Sequence, residues 1–360
     1  MYTLFIQMKN SEFLKGRGAQ VNSNNRFENN SYCREHTEAI DLPETLERKT
    51  EYIKVYPKTI VNKVTSPDTG MMFSLNPYQG CEHGCIYCYA RNSHEYWGYN
   101  AGIDFESKIL IKQNAVSLLD KKLRSKSWQA NTIVLSGNTD CYQPIERKEQ
   151  ITRQLLKTFL KYRHPVSIIT KNGLVLRDLD ILKELNKHGL ITVSISITSL
   201  HETTRHILEP RTASINKRLK TVEALSKEGI PVNVMIAPII PGLNSHEIIP
   251  IAETASRLGA LSIAHTVVRL NGAIADVFNN WVEKALPNKA EKIINQIKEC
   301  HGGNLNDSEF GRRMRGEGVF AEQISKTMKL AKRKYFYGKK MPSLNCDLHA
   351  EFKTGQLSLF

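Results

Sequence analysis

Leu190-Ile-Thr-Val-Ser-Ile-Ser-Ile197 and Ile230-Pro-Val-Asn-Val-Met-Ile-Ala237 are near-continuous runs of Val and Ile, separated by a helical stretch over 214–228 that Gly229 closes. Runs of this composition suit strands buried on both faces, and such strands occur in parallel sheets covered by helices. The same beat extends in both directions. Upstream, Val166-Ser-Ile-Ile-Thr170 precedes a helix over 177–188. Thr132-Ile-Val-Leu-Ser136 precedes a helix over 147–162, in which Ile151, Leu155, Leu156, Phe159 and Leu160 share one face. Met71-Met-Phe-Ser-Leu-Asn76 reads as the first strand, ended by Pro77 and Gly80. Downstream, a helix over 245–258, closed by Gly259, leads to a sixth strand between Leu261 and Leu270. Repeated strand–helix units with right-handed crossovers give an α/β fold. Six units are two short of a closed barrel. The expected architecture is a partial (βα)6 TIM-like barrel of parallel strands; an open doubly wound sheet fits the same beat.

Around this array lie an irregular N-terminal extension (1–60), the barrel (61–275), a helical basic region (276–350) with Arg312-Arg-Met-Arg315 and Lys329-Leu-Ala-Lys-Arg-Lys334, and a short tail (351–360). Lys and Arg number 50 against 36 Asp and Glu in 360 residues, a net charge of +14 that favours a polyanionic partner such as nucleic acid, or an anionic surface. No run reaches the roughly 18 apolar residues of a membrane span. Met1-Tyr-Thr-Leu-Phe-Ile-Gln-Met-Lys9 has neither the basic start nor the cleavage site of a signal peptide. Seven cysteines, three of them within eight positions, point to a reducing compartment and a metal site rather than a disulfide framework. A cytoplasmic location is expected.

The chemistry concentrates in Asn76-Pro-Tyr-Gln-Gly-Cys81-Glu-His-Gly-Cys85-Ile-Tyr-Cys88-Tyr-Ala-Arg91. Cys81, Cys85 and Cys88, at i, i+4 and i+7 on the loop after the first strand, suit an iron–sulfur cluster held by thiolates. Three ligands for four irons leave one iron open, and an open position separates a chemical site from a structural one. Zinc, with His83 or a distant Cys as fourth ligand, is the competing reading, although paired Cys and His groups at structural-zinc spacing are missing.

This loop resembles the Cx3Cx2C motif of the radical S-adenosylmethionine superfamily. Within it, the chain is most similar to the spore photoproduct lyase-like group, also called DNA repair photolyase-like. The resemblance rests on Gly16-Arg-Gly-Ala19 with Asn25-Arg-Phe27, Asn76-Pro-Tyr-Gln-Gly80, Thr139-Asp-Cys-Tyr-Gln-Pro-Ile-Glu146, Ile169-Thr-Lys171, Glu209-Pro-Arg-Thr212 and Ala237-Pro-Ile-Ile-Pro-Gly242, and spans nearly the whole chain. It implies a [4Fe–4S] cluster whose open iron is chelated by S-adenosylmethionine, cleavage of that cofactor to a 5′-deoxyadenosyl radical, and hydrogen abstraction from a substrate. An electron donor such as flavodoxin or ferredoxin follows as a partner.

Catalytic groups then belong at the C-terminal ends of the strands. Asn138 and Thr139 follow the second strand, Lys171 ends the third, and Ser194 and Ser196 share a face of the fourth. Arg211 offers a planar fork for a carboxylate or phosphate. These six are the expected binding residues for S-adenosylmethionine. By resemblance, Tyr87 and Tyr89, flanking Cys88, correspond to tyrosines proposed to relay a hydrogen atom. The photoproduct lyases also carry a hydrogen-donating Cys after the second strand. Gly137 stands at that position here, and Cys141, four positions on, is the nearby thiol able to take the role.

Gln356-Leu-Ser-Leu-Phe360 resembles the motif by which bacterial repair proteins bind the sliding clamp of DNA polymerase III, with Gln356 hydrogen-bonding and Leu357, Leu359 and Phe360 filling an apolar cleft. Cys33 with His36, Cys300 with His301 and Cys346 with His349 are scattered and read as free thiols. The expected function is a lyase-like radical enzyme repairing DNA, recruited by the clamp. Radical chemistry on RNA or protein, or a non-catalytic iron–sulfur adaptor on DNA, are the alternatives.

Overall fold

The computed structural model describes residues 13–27 and 49–354. Ten strands occur among them: β1 (Glu51–Val55), β2 (Val61–Lys63), β3 (Phe73–Leu75), β4 (Tyr78–Gln79), β5 (Lys108–Lys112), β6 (Ile133–Leu135), β7 (Val166–Thr170), β8 (Ile191–Ser196), β9 (Val232–Ile239) and β10 (Ser262–Val267). All six expected segments form strands, and they lie side by side. The main sheet has the order β10-β9-β8-β7-β6-β3-β2. Every neighbour pair from β3 to β10 is parallel, with Ile133 opposite Val166 and Val193 opposite Val232; β2 joins β3 antiparallel. Since β2 and β10 are edges, the sheet stays open, as a partial barrel requires.

The crossover helices follow Ala115–Arg124, Ile151–Lys161, Leu179–Lys187, Ile215–Lys227 and Ile248–Arg257. Their apolar faces (Leu155, Leu156 and Phe159; Leu182 and Leu185; Val222 and Leu225) are wholly buried against Ile168, Val193, Val232 and Val234. Gly229 and Gly259, which close two helices, take φ of +72° and +93°, a backbone that favours glycine. The stretch expected as one helix over 147–162 is two, Glu146–Glu149 and Ile151–Lys161, because Gln150 adopts a left-handed φ of 51° between them.

In a second sheet, of order β1-β5-β4, β4 and β5 come from the long connection between β3 and β6, and β1 from the segment ahead of the main sheet. Its pairings Tyr78–Ile111 and Gln79–Leu110 brace the chain just before Cys81. Residues 13–27 pack against this region, while β1 falls within the segment read as an irregular extension. Among the described residues, no helix is long and apolar enough to cross a membrane. Gln356–Phe360, Cys33 and His36 lie outside the described residues.

The C-terminal helix Asp347–Thr354 docks through His349, whose Nδ1 lies 2.7 Å from the Tyr162 carbonyl and whose ring is 4.9 Å from that of His164. Trp128 Nε1 donates to His164 Nε2 at 3.0 Å. Burial and the neighbouring His349 hold the His164 pKa at about 3; burial holds that of His94 at about 4. Both values lie below the roughly 6.5 of an unfolded histidine, so the unfolded chain binds more protons in acid. Stability is therefore full above pH 6.5 and falls as pH drops towards 4, by up to about 1.4 kcal/mol per histidine per pH unit. Thermal melts followed by circular dichroism are expected to show a lower Tm at pH 5 than at pH 7. An unchanged Tm would contradict the neutral, buried histidines.

Candidate active site

Three features bend the cysteine loop. Gly80 and Gly84 take φ of +79° and +66°, and a Cβ on Gly80 would meet the Lys108 carbonyl oxygen at 2.6 Å. Cys81 N–H donates to the Phe105 carbonyl at 2.8 Å, and Cys88 N–H to the Cys85 carbonyl at 3.3 Å. Arg91, fully buried, donates to the Cys85 carbonyl through Nε (3.1 Å) and Nη2 (2.9 Å), and pairs with Glu106 through Nη2 at 2.5 Å. Glu106 in turn accepts from the N–H groups of Gly18 (3.1 Å) and Ala19 (2.8 Å). Gly18 lies so close that a Cβ there would fall 1.8 Å from the Gly84 carbonyl oxygen. The Gly16-Arg-Gly-Ala19 motif is thus a strap against the cysteine loop.

Burial pushes all three thiols up, Cys81 far and Cys85 to about 12. A positively charged metal centre is what converts such thiols to ligands. Among the described residues, the trio of His, Cys or carboxylate groups whose ligand atoms all fall within 4.8 Å of one another is His201, His246 and Glu247. Two buried thiols and one half-buried thiol on a single braced loop are the donor set of an iron–sulfur cluster. His83, inside the loop, sends Nδ1 to Asp140 Oδ2 at 3.3 Å and leaves Nε2 buried without a partner.

The strand ends meet this loop. Asp140 accepts from Thr170 Oγ1 (2.8 Å), Lys171 N–H (2.8 Å) and Tyr142 N–H (2.9 Å). Burial alone would raise its pKa, but His83 and these backbone donors hold it at about 2. Beside it, Glu209 is fully buried and accepts from Thr198 Oγ1 at 2.8 Å, from Tyr87 Oη, and from Arg218 Nη2 at 2.5 Å. Arg218 also donates to the Ser196 carbonyl at 3.0 Å. Burial again opposes ionisation, yet Arg218 and Lys171 keep Glu209 at about 2. Lys171, facing Cys85 and Glu209, is held above its ordinary range against the opposing effect of burial, and its Nζ lies 5.9 Å from the Tyr87 ring centre. A buried carboxylate flanked by two cations thus adjoins the cysteines.

The expected residues divide into groups. Cys81, Cys85, Cys88, Tyr87, Tyr89 and Lys171 come together at one end of the sheet. Tyr89 Oη donates to the Gly137 carbonyl, and Asn138 Nδ2 donates to Ser93 Oγ at 2.8 Å. Thr139 is turned away, its hydroxyl donating to the Tyr78 carbonyl at 2.7 Å. Ser194 accepts from Asn233 Nδ2 at 3.2 Å, whereas Ser196 is buried beside Arg218. Arg211 Nε donates to the Gly16 carbonyl at 2.8 Å and its N–H to that of His83, tying the strap to the loop. Cys141 is packed in the main core, its N–H donating to Ser136 Oγ at 2.7 Å. A Cβ at Gly137 would lie 2.7 Å from Ser74 Cβ, so a larger side chain there requires Ser74 to move. Glu209, Arg218, Arg91, Glu106 and Asp140 were not singled out by the sequence. The Asn76–Arg91, Glu209-Pro-Arg-Thr212 and Thr139-Asp-Cys stretches carried the signal for three of them.

Residues 75–255 match the family model described as the Radical SAM superfamily. The chain is 32% identical over 249 residues to an uncharacterized protein of Methanocaldococcus jannaschii, covering 69% of this chain and 88% of that one. It is 23% identical over 194 residues to the Radical SAM Nalpha-GlyT isomerase of Pseudomonas phage M6, covering 54% and 38%. A solved structure of spore photoproduct lyase complexed with dinucleoside spore photoproduct shares the fold, with a TM-score of 0.57 at 16% identity over 80% of both chains.

Proposed function

The chain belongs to the radical SAM superfamily, and on that premise we propose that it acts on damaged DNA, with the modified nucleotide brought out of the duplex into the open end of the barrel. It is an enzyme whose cofactors are a [4Fe–4S] cluster and S-adenosylmethionine. Cys81, Cys85 and Cys88 hold the cluster. Bound there, the two cofactors supply one-electron cleavage of the sulfur–C5′ bond and a 5′-deoxyadenosyl radical that takes hydrogen from substrate.

The remaining steps fall to the chain. Arg91 and Glu106 fix the loop so that the thiols keep their spacing, and the Gly16–Ala19 strap excludes water from its outer side. Lys171 would pair with the carboxylate of S-adenosylmethionine, and Asn138 and Ser196 would offer it hydrogen-bonding groups. Thr139, Ser194 and Arg211 position backbone and strands around them. Tyr89, half-exposed, relays the hydrogen atom with Tyr87; Cys141, in the core, is left out of that role. A flavodoxin- or ferredoxin-like protein delivers the electron, and Gln356, Leu357, Leu359 and Phe360 recruit the sliding clamp.

The observation that carries the DNA reading is the fold, shared over four fifths of the chain with an enzyme whose structure contains a dinucleoside photoproduct. A net charge of +14 agrees with it. The test is anaerobic: the reconstituted, reduced chain receives S-adenosylmethionine, and 5′-deoxyadenosine is counted with undamaged and ultraviolet-damaged DNA. The expected result is a several-fold rise with damaged DNA. Equal yields with both would overturn the lesion as substrate. Capture of the clamp by the full chain, and not by one ending at Gly355, tests recruitment.

A further inference from the structure

Two surface histidines converge on a buried carboxylate at the rim of the barrel, where the loops after β8 and β9 meet. His201 caps the helix Glu202–Leu208, and His246 and Glu247 lie in the turn that opens the helix Ile248–Arg257. One ligand atom from each of the three lies within 4.8 Å of the others. Glu247 is only 1% exposed, whereas both imidazoles are exposed. Its Oε1 accepts from Ser199 Oγ at 2.7 Å and its Oε2 from Leu200 N–H at 2.5 Å. His201 N–H donates to the same Ser199 hydroxyl at 2.9 Å. Asn244 clips the two loops together by donating to the Thr198 carbonyl at 2.8 Å and the Pro238 carbonyl at 3.1 Å.

A loop-pinning role accounts for Glu247 but not for the imidazoles. An ionised carboxylate has about four lone-pair sites, and two are used by Ser199 and Leu200. His201 Nε2 stands 4.0 Å from Oε2, too far for a hydrogen bond. We propose that His201, His246 and Glu247 form a divalent-metal site, fitted to Zn²⁺, that staples these two loops.

Two imidazole nitrogens and a carboxylate oxygen are the donor types of three-ligand zinc sites, with the fourth position left to water. Ligands at about 2.0–2.2 Å from a tetrahedral ion stand roughly 3.4 Å from one another, so exposed imidazoles need only small rotations to close on it. The outer groups fit as well, because ligating carboxylates are themselves hydrogen-bonded, as Ser199 and Leu200 do for Glu247. With two nitrogen donors, zinc binds such a site more tightly than ferrous iron does. The site also has a reach beyond the rim. The helix that follows His201 ends at Leu208, one residue before Glu209, so a metal there fixes the approach of the carboxylate that faces Lys171 and Arg218. This reading is independent of the substrate.

The experiment uses the cluster-loaded chain, prepared anaerobically and dialysed against micromolar Zn²⁺, with zinc and iron counted by mass spectrometry. The expected result is one zinc per chain with the iron content unchanged, and a Tm that rises with Zn²⁺. His246→Ala and His201→Ala, at exposed positions, should keep the wild-type Tm without zinc and lose both the bound zinc and the rise. Glu247→Gln should weaken zinc binding at least tenfold. Equal zinc in the wild type and His246→Ala, zinc gained only as iron is lost, or no zinc bound at all would each overturn the site.

Discussion

Cys85→Ala is expected to leave a folded chain that, after reconstitution, shows no iron–sulfur absorbance and forms no measurable 5′-deoxyadenosine. Cys85 sits between the other two ligands, and its backbone carbonyl is already held by Arg91. Losing the sulfur therefore removes a ligand without releasing the loop. The fold loses only the packing of one small side chain, at a cost of about 1 kcal/mol. Changes to groups merely in contact with metal ligands reduce affinity or activity by roughly 10–100-fold, so loss of one of three ligands should exceed that range. Iron retained at wild-type level, with its absorbance, would show that Cys85 is not a ligand. A normal cluster in Cys141→Ala provides the contrast, since that thiol belongs to the main core.

The alternation of strands and helices was legible because burial on both faces leaves Val and Ile runs in five of the six expected strands, and all six became the parallel strands of one sheet. The thiol motif was legible because its ligands are close in sequence. The second sheet was not, because β4 has two residues and β5 lies in a segment whose neighbours carry no clear period. The carboxylate centre was missed for a different reason. Glu209 meets Tyr87 across 122 positions, and Glu106 meets Gly18 across 88. A sequence shows that such residues are charged, while their burial and pairing arise only when the strand ends converge. The same limit applies to Thr139. Its place at a strand end suggested a ligand-facing hydroxyl, yet the turn directs it onto the Tyr78 carbonyl.

Glu209→Ala is expected to produce the second large effect, and two companion variants separate its causes. Arg218 is about 1% exposed, and without Glu209 its guanidinium is a buried charge lacking its carboxylate. Breaking a buried pair from one side costs about 3–5 kcal/mol, whereas replacing both partners by apolar groups of similar volume is often neutral. The double variant Glu209→Leu with Arg218→Met should therefore recover most of the Tm lost in Glu209→Ala. Activity should not recover, because Lys171 then faces the cysteines without the carboxylate that Tyr87 and Thr198 also address. Glu209→Gln keeps the shape and removes the charge. Because Glu209 is held at about 2 in the fold, against roughly 4.3 unfolded, its ionisation stabilises the chain above pH 4.3 and this contribution fades as pH falls towards 2. The glutamine variant should lose that part of the acid dependence and keep the histidine-linked part between pH 4 and 6.5. If the apolar pair restored both Tm and 5′-deoxyadenosine formation, Glu209 and Arg218 would be structural groups alone. If it restored Tm only, the buried charges would be retained for the chemistry beside the cysteine loop, at the expense of a core that apolar residues fill equally well.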